Sequence, residues 1–230
     1  MKMNLQVILL TACVAVAFSS PVELEEKLRN LFAGEKELSL KGLGVATRGT
    51  GSYLSTSERD TILQLHNDAR NNVQPTASNM QQMTWSSELA SVAQTYANKC
   101  VWSHNSARSS QASSFYYVGE NLYVTTSSYG YLEKGVASWD SEKKDYDYAS
   151  NSCSGVCGHY TQVVWADSTK LGCAVGSCPS MTNLPSYFQN VKFVVCNYGP
   201  GGNYNGVKPY EQGTPASVDN GSSGTSGGCK

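Results

Sequence analysis

Cysteine spacing constrains the possible fold of this chain more than any other feature. Seven of the eight cysteines lie at or after position 100, and the first six of these are Cys100, Cys153, Cys157, Cys173, Cys178 and Cys196. In an oxidising compartment these six are expected to form three disulfides, and six cysteines permit fifteen pairings. The odd one, Cys229, is expected to be an exposed thiol or to link two copies into a dimer.

The N-terminus has the pattern of a secretory signal peptide. Met1 and Lys2 open the chain, an apolar run extends from Leu5 to Phe18, and small residues follow. The run is shorter than the ~20 residues that span a bilayer. We therefore expect residues 1–19 to be removed, together with Cys13, and the mature protein to be secreted without a transmembrane anchor.

Charge and composition argue against two classes of partner. The formal net charge is -1 and only 15 % of the residues are charged. No strong electric field therefore favours nucleic acid or an anionic membrane. Residues 20–54 combine a charged stretch with glycines, so we expect a pro-segment or flexible extension. The Gly/Ser-rich residues 211–230 indicate a flexible tail, which carries the only N-glycosylation sequon, at Asn220.

Hydrophobic periodicity changes along the remaining chain, residues 55–210. Apolar residues first recur at helical spacing, and a capping box of Ser55 and Glu58 predicts where the first helix begins. Two more helices are predicted over 86–100 and 129–143. The period then becomes two, and strands are predicted over 159–165, 170–176 and 191–198. Helices followed by antiparallel strands indicate an α+β fold with helices covering the sheet.

Two long segments and several shorter motifs carry a resemblance to a known family. Residues 158–168 and 193–204 fit its two signatures, while Gly119-Glu120-Asn121 and Trp139-Asp140-Ser141-Glu142 match further landmarks in the same order. The chain resembles the CAP superfamily, which includes cysteine-rich secretory proteins, antigen 5 and pathogenesis-related 1 proteins. The resemblance covers residues 55–210 and implies a disulfide-stabilised three-layer α-β-α sandwich with a central antiparallel sheet.

The resemblance also implies pairings and a site. The disulfides would be Cys100–Cys178, Cys153–Cys157 and Cys173–Cys196. The family's cleft tetrad falls on His104, Glu120, Glu142 and His159. Many members have Ser directly after the first histidine, but here Asn105 follows and Ser106 comes next, so a hydrogen bond supplied by that serine is not carried over to this chain. Family roles lie in defence, venom, reproduction and host interaction.

The tetrad is suited to weak metal binding. Two neutral imidazoles, His104 and His159, can ligate Zn²⁺ or another divalent cation, and water would complete the coordination. Glu120 and Glu142 could orient that water or the imidazole rings. No serine lies in a nucleophile elbow and the six core cysteines are expected to be paired. We therefore expect a binding or effector protein rather than an enzyme.

Two alternatives remain open. A metal-assisted hydrolase could use the same tetrad, with metal-activated water as the attacking group. An extracellular sterol or fatty-acid binding protein could use Tyr146-Asp147-Tyr148, which resembles the start of a sterol-binding loop. For these tyrosines we favour packing onto the domain, and for His66 a structural role in the first helix.

Overall fold

A four-stranded sheet forms the middle layer of the fold. The computed structural model describes residues 53–214. In the sheet the strand order is β1-β5-β6-β2, and every pairing is antiparallel except that of β1 with β5. These strands are β1 (Thr84–Trp85), β2 (Gly119–Thr125), β5 (Lys170–Ser180) and β6 (Gln189–Gly199). A separate hairpin is made of β3 (Tyr146–Asp147) and β4 (Ser152–Cys153).

Helices supply the two outer layers. They are α1 (Thr56–Asn71), α2 (Ser87–Ala97), α3 (Arg108–Gln111), α4 (Tyr131–Ser141) and α5 (Gly158–Val163), and a 3-10 helix (Glu142–Asp145) continues α4. The predicted capping box begins α1, where the Glu58 amide donates to Ser55 and the Ser55 amide donates to Glu58. Helix α2 begins with Ser86 as its side-chain cap.

The period-two pattern of β6 divides the core between the two faces of the sheet. Val194, Cys196 and Tyr198 pack against α1, α4 and α5, whereas Phe193 and Val195 pack against α2. Successive side chains of a strand point to opposite faces, so a strand buried on both faces is apolar throughout. The α+β class and the three-layer sandwich are therefore confirmed.

Two glycines of β5 let α2 lie directly on the sheet. A Cβ at Gly172 would lie 2.2 Å from the Ala90 nitrogen, and one at Gly176 would lie 2.4 Å from the Ala97 carbonyl oxygen. Any larger residue would displace the helix. This close contact positions α2 and the segment after it, which carries His104.

The predicted strand over 159–165 is wrong. Residues 158–163 form α5 and the chain turns after it. Thr161 and Val163 favour a strand locally, but tertiary contacts override that preference. The Glu142 carboxylate accepts the His159 and Tyr160 amides at the start of α5, and this satisfies N–H groups that a helix leaves unpaired.

The other predicted boundaries are close to the observed ones. Helix α2 ends at Ala97 rather than at 100, since Cys100 adopts a left-handed backbone with φ of 53°. The third predicted helix begins at Tyr131 rather than at 129.

Several predictions fall outside the described residues: the signal peptide over 1–19, Cys13, the extension up to 52, the end of the tail, Asn220 and Cys229. Within the described part of the chain, no helix combines the length and apolarity needed to cross a bilayer.

Three disulfides cross-link the fold. They join Cys100 to Cys178, Cys153 to Cys157, and Cys173 to Cys196. These are the pairs that the family resemblance implies. All three are intramolecular, and they are consistent with an oxidising environment such as the extracellular space.

Candidate functional site

His104 and Glu120 form the first of two histidine–glutamate pairs. His104 lies in the segment after α2 and Glu120 is the second residue of β2. The distance from His104 Nδ1 to Glu120 Oε1 is 2.9 Å, and the histidine side chain is 56 % exposed while that of the glutamate is fully buried. A buried carboxylate thus holds an accessible imidazole by one ring nitrogen.

Glu120 also fixes the loop that carries His104. Its Oε1 accepts the Asn105 amide at 2.9 Å. The Asn105 side chain, where many family members have Ser, donates to Gln111 and accepts the Ala107 amide. The departure from the family pattern therefore leaves the position of His104 intact. The second oxygen of Glu120, Oε2, is buried and has no hydrogen-bond partner within residues 53–214.

Glu142 and His159 form the second pair. Glu142 follows α4 directly, and His159 lies in the first turn of α5. His159 Nδ1 lies 2.6 Å from Glu142 Oε1, and the other carboxylate oxygen accepts the His159 and Tyr160 amides at 3.0 and 3.2 Å. One carboxylate thus orients the imidazole and stabilises the start of its helix.

The Trp139 indole packs against the His159 ring. Its indole is buried, donates to the Leu122 carbonyl oxygen at 3.1 Å, and stacks on the His159 ring with centroids 6.4 Å apart and planes inclined by 14°. Trp139 and Glu142 are three residues apart, a spacing that predicts that a buried Trp139 keeps Glu142 close to the cleft. The structure shows in addition that the Trp139 ring stacks on the His159 ring. With its ring stacked and Nδ1 bonded, His159 has a fixed orientation.

Asn121 connects the two pairs. It follows Glu120 in β2, and its Nδ2 donates to the His159 carbonyl oxygen and to the Tyr198 hydroxyl, each at 3.0 Å. The Tyr198 hydroxyl in turn contacts Nε2 of His66 at 2.9 Å. The element that carries Glu120 is therefore bonded directly to the helix that carries His159. His66 is buried in α1 with both ring nitrogens engaged, so its predicted structural role is confirmed.

The sequence matches a known family over more than half of the chain. Residues 63–198 match the family described as "CAP: Cysteine-rich secretory protein family". The chain belongs to the CAP family. It is 44 % identical over 162 residues to GLIPR1-like protein 1 of Bos taurus, covering 69 % of this chain and 65 % of that protein. It is 39 % identical over 182 residues to peptidase inhibitor 16 of Homo sapiens, covering 78 % of this chain and 37 % of that protein.

Solved CAP structures show the same fold. Schistosoma mansoni venom allergen-like protein 4 superposes with a TM-score of 0.58 at 26 % identity, covering 70 % of this chain and 97 % of the other. Na-ASP-1 superposes with a TM-score of 0.58 at 29 % identity, covering 73 % of this chain and 45 % of the other. The chain spans only part of the relatives it matches, from about two thirds of GLIPR1-like protein 1 to about a third of peptidase inhibitor 16.

Arg70 is a CAP-domain residue to which the sequence analysis assigned no role. Its guanidinium is buried and makes five hydrogen bonds to carbonyl oxygens, those of Gln81, Val163, Trp165 and Ala166. Burial lowers the pKa of Arg70 to about 10, so it stays charged at neutral pH. A buried cation thereby binds the carbonyl of Val163, the last residue of α5, and two carbonyls of the turn after it, and so anchors the helix of His159. The segment from Leu65 to Arg70 resembles the start of the family's first helix, and this resemblance is the sequence signal that could have pointed to Arg70.

Gln162 is a second residue whose role the sequence does not reveal. Its Nε2 donates to the Ser168 hydroxyl, and its Oε1 accepts the Gly202 amide, both at 3.0 Å. A Cβ at Gly119 would lie 2.0 Å from that same Oε1. Gln162 thus joins the two signature segments to the start of β2. Position 119 must be glycine there, because any side chain would collide with Gln162.

The structure bears on both alternatives. All six cysteines between residues 53 and 214 are paired, so no thiol nucleophile lies in that part of the chain. Tyr146 packs on Tyr160, and Tyr148 is buried, stacks on Tyr210 and donates to its carbonyl oxygen. Packing of these tyrosines onto the domain is therefore confirmed, with Tyr148 buried and Tyr146 partly buried.

Proposed function

We propose that this CAP domain acts as an extracellular binding or effector protein whose cleft holds a divalent cation through Nε2 of His104 and of His159. The observation that carries the proposal is the role of Nδ1 in both rings. Each Nδ1 contacts a glutamate oxygen, at 2.9 Å for His104 and 2.6 Å for His159. An ionised carboxylate can only accept, so Nδ1 is the donor in each ring, and in the neutral form of each imidazole Nε2 keeps its lone pair.

This arrangement fits a metal site. Histidine ligands commonly donate their second nitrogen to a carboxylate, which fixes the tautomer and raises ligand basicity. Neither Nε2 is engaged by any residue of the described chain. The buried Oε2 of Glu120 is an acceptor suited to a water molecule on such a cation. A structure of a similar protein, NaASP2, was determined with Zn²⁺, and it matches this chain at 26 % identity with a TM-score of 0.55.

The site would be open and of modest affinity. Between residues 53 and 214, no three or more His, Cys, Asp or Glu side chains are grouped so that they could hold a metal ion. Structural zinc sites use four protein ligands and catalytic sites use three. With two imidazoles as ligands, a bound cation would keep positions for water or for an oxygen of a partner. This donor set favours binding over hydrolysis.

Calorimetry with Zn²⁺ tests the proposal on the full mature chain. We expect saturable binding of about one ion, weakened at least tenfold in His104→Ala and in His159→Ala. Glu142→Gln should cost roughly 10- to 100-fold, as loss of an outer hydrogen bond to a ligand does. The control is Glu133→Gln, an exposed residue at the opposite end of α4, which should bind like the parent.

Two results would reject the cation site. One is the lack of any saturable heat with Zn²⁺. The other is equal binding by the parent and both histidine variants, which would place the metal elsewhere, for example outside residues 53–214. The effector role could then persist through a metal-free surface.

A further inference from the structure

A groove apart from the tetrad is lined by only three kinds of residue. Its volume is about 730 Å³, within the usual size range of small-ligand sites. Seven residues line it, namely Ser109, Ser110, Tyr116, Tyr117, Asn203, Tyr204 and Asn205. None of them is charged or aliphatic. We call it the tyrosine groove.

Neighbouring groups hold two rings of the tyrosine groove, those of Tyr117 and Tyr204, and the third ring, that of Tyr116, projects into solvent. Tyr116 is fully exposed and Tyr204 is 51 % exposed. The Tyr117 and Tyr204 rings lie 5.8 Å apart and are inclined by 48°, and Tyr204 also packs edge-on against Trp165. A Cβ at Gly201 would lie 2.5 Å from the Tyr117 ring, so backbone supports one side of that ring. The fold thus presents apolar ring surface that its own core does not use.

Unused polar groups accompany these rings. The hydroxyls of Tyr116, Tyr117 and Tyr204 and the amide of Asn205 make no hydrogen bond with any part of the chain between residues 53 and 214. The Asn203 amide, in contrast, is held by Gly158 and Thr161 of α5. The groove therefore combines a fixed wall with free donors and acceptors beside exposed rings.

We propose that the tyrosine groove binds a neutral oligosaccharide. Pyranose rings have apolar C–H faces that can lie on tyrosine rings, and their hydroxyls both donate and accept, as tyrosine hydroxyls and an asparagine amide do. The missing aliphatic lining argues against a fatty acid. Arg108 lies over the Tyr117 ring at 6.0 Å but does not line the groove, and its Nε and Nη1 donate to the Val118 and Asn105 carbonyls rather than towards a sulfate or phosphate.

A glycan array followed by calorimetry tests this inference. The array should contain neutral, sialylated and sulfated glycans, and the full mature chain should bind at least one neutral member. That glycan is then titrated with EDTA present, so that the result is independent of the proposed cation site. We expect at least tenfold weaker binding by Tyr116→Ala and Tyr204→Ala. Tyr116→Phe, which keeps the ring, should lose less than Tyr116→Ala.

Two matched controls accompany these variants. Tyr129→Ala removes another exposed tyrosine, at the start of α4, and should bind like the parent. His104→Ala should also bind the glycan normally. Because the Tyr116 ring is fully exposed, its removal leaves folding intact. The inference is overturned if no neutral glycan binds, if only charged glycans bind, or if Tyr116→Ala and Tyr204→Ala bind like the parent.

Discussion

At the scale of single residues, a chain of buried hydrogen bonds supports the site. His66 Nδ1 contacts the Ile62 carbonyl oxygen at 2.7 Å, and a carbonyl can only accept, so Nδ1 carries the proton. Nε2 of the neutral ring then accepts from Tyr198, whose hydroxyl oxygen accepts from Asn121. Asn121 also donates to the His159 carbonyl. One neutral histidine therefore fixes the direction of each hydrogen bond up to the cleft.

Protonation of His66 should destabilise the fold in mild acid. Burial lowers the pKa of His66 from 6.5 to about 4. Below pH 6.5 the unfolded chain takes up a proton that the native chain does not, so stability is lost as pH falls from 6.5 towards 4. Between pH 7 and pH 5 the loss from this residue should be about 2 kcal/mol. Urea unfolding at both pH values measures it.

The matched variant is His66→Gln. It is expected to be less stable at pH 7, since the hydrogen bonds to Ile62 and Tyr198 are disturbed. Its further loss between pH 7 and pH 5 should be about 2 kcal/mol smaller than that of the parent. Equal losses in the two proteins would show that His66 does not govern this acid sensitivity.

At the scale of elements, tertiary packing determines secondary structure that the local sequence pattern does not predict. The capping box of Ser55 and Glu58 correctly predicted where α1 begins, because both partners lie within one turn. Residues 159–165 have β-branched side chains and were predicted as a strand, but form α5 and the turn after it. The contacts that stabilise α5 come from Glu142, 17 residues away, and from Arg70, 93 residues away. A local period cannot report such contacts.

The close approach of α2 to β5 gives an element-scale prediction. Gly172→Ala places a Cβ against the backbone of Leu89 and Ala90, which cannot rotate away as a side chain can. We expect a loss of about 3 kcal/mol or more, at the upper end of overpacking costs. Gly158→Ala is the control, because a Cβ at this position would lie 4.0 Å from its nearest neighbour, Nδ2 of Asn203. Urea unfolding of both variants provides the comparison, and a Gly172→Ala variant as stable as the control would contradict it.

At the scale of the whole molecule, long-range bonds hold the layers together. The disulfide between Cys100 and Cys178 spans 78 residues, whereas that between Cys153 and Cys157 spans only 4. In the chain-entropy description a longer loop gives more stabilisation, so the long-range bonds contribute most. Spacing alone left fifteen pairings open, and the family resemblance selected the set that the structure forms.

The candidate site was likewise predicted in its residues but not in its contacts. The family resemblance predicted the four tetrad residues, but it could not show that each glutamate contacts a particular histidine through Nδ1. That contact depends on β2, α4 and α5 being brought together by the sheet and by Asn121. The site is also supported by three buried residues, namely Arg70, Gln162 and Tyr198. Their roles come from burial and distant carbonyls, which no spacing rule describes.

The central claim is that His104 and His159 ligate a divalent cation through Nε2. Titration of the ¹⁵N-histidine-labelled protein with Zn²⁺, followed by NMR of the ring nitrogens, tests it most directly, since the chain has only 3 histidines. We predict that Zn²⁺ shifts the Nε2 signals of His104 and His159 and leaves those of the buried His66 unchanged. Ring signals that stay unchanged at saturating Zn²⁺, or shifts that show ligation through Nδ1, would contradict the account.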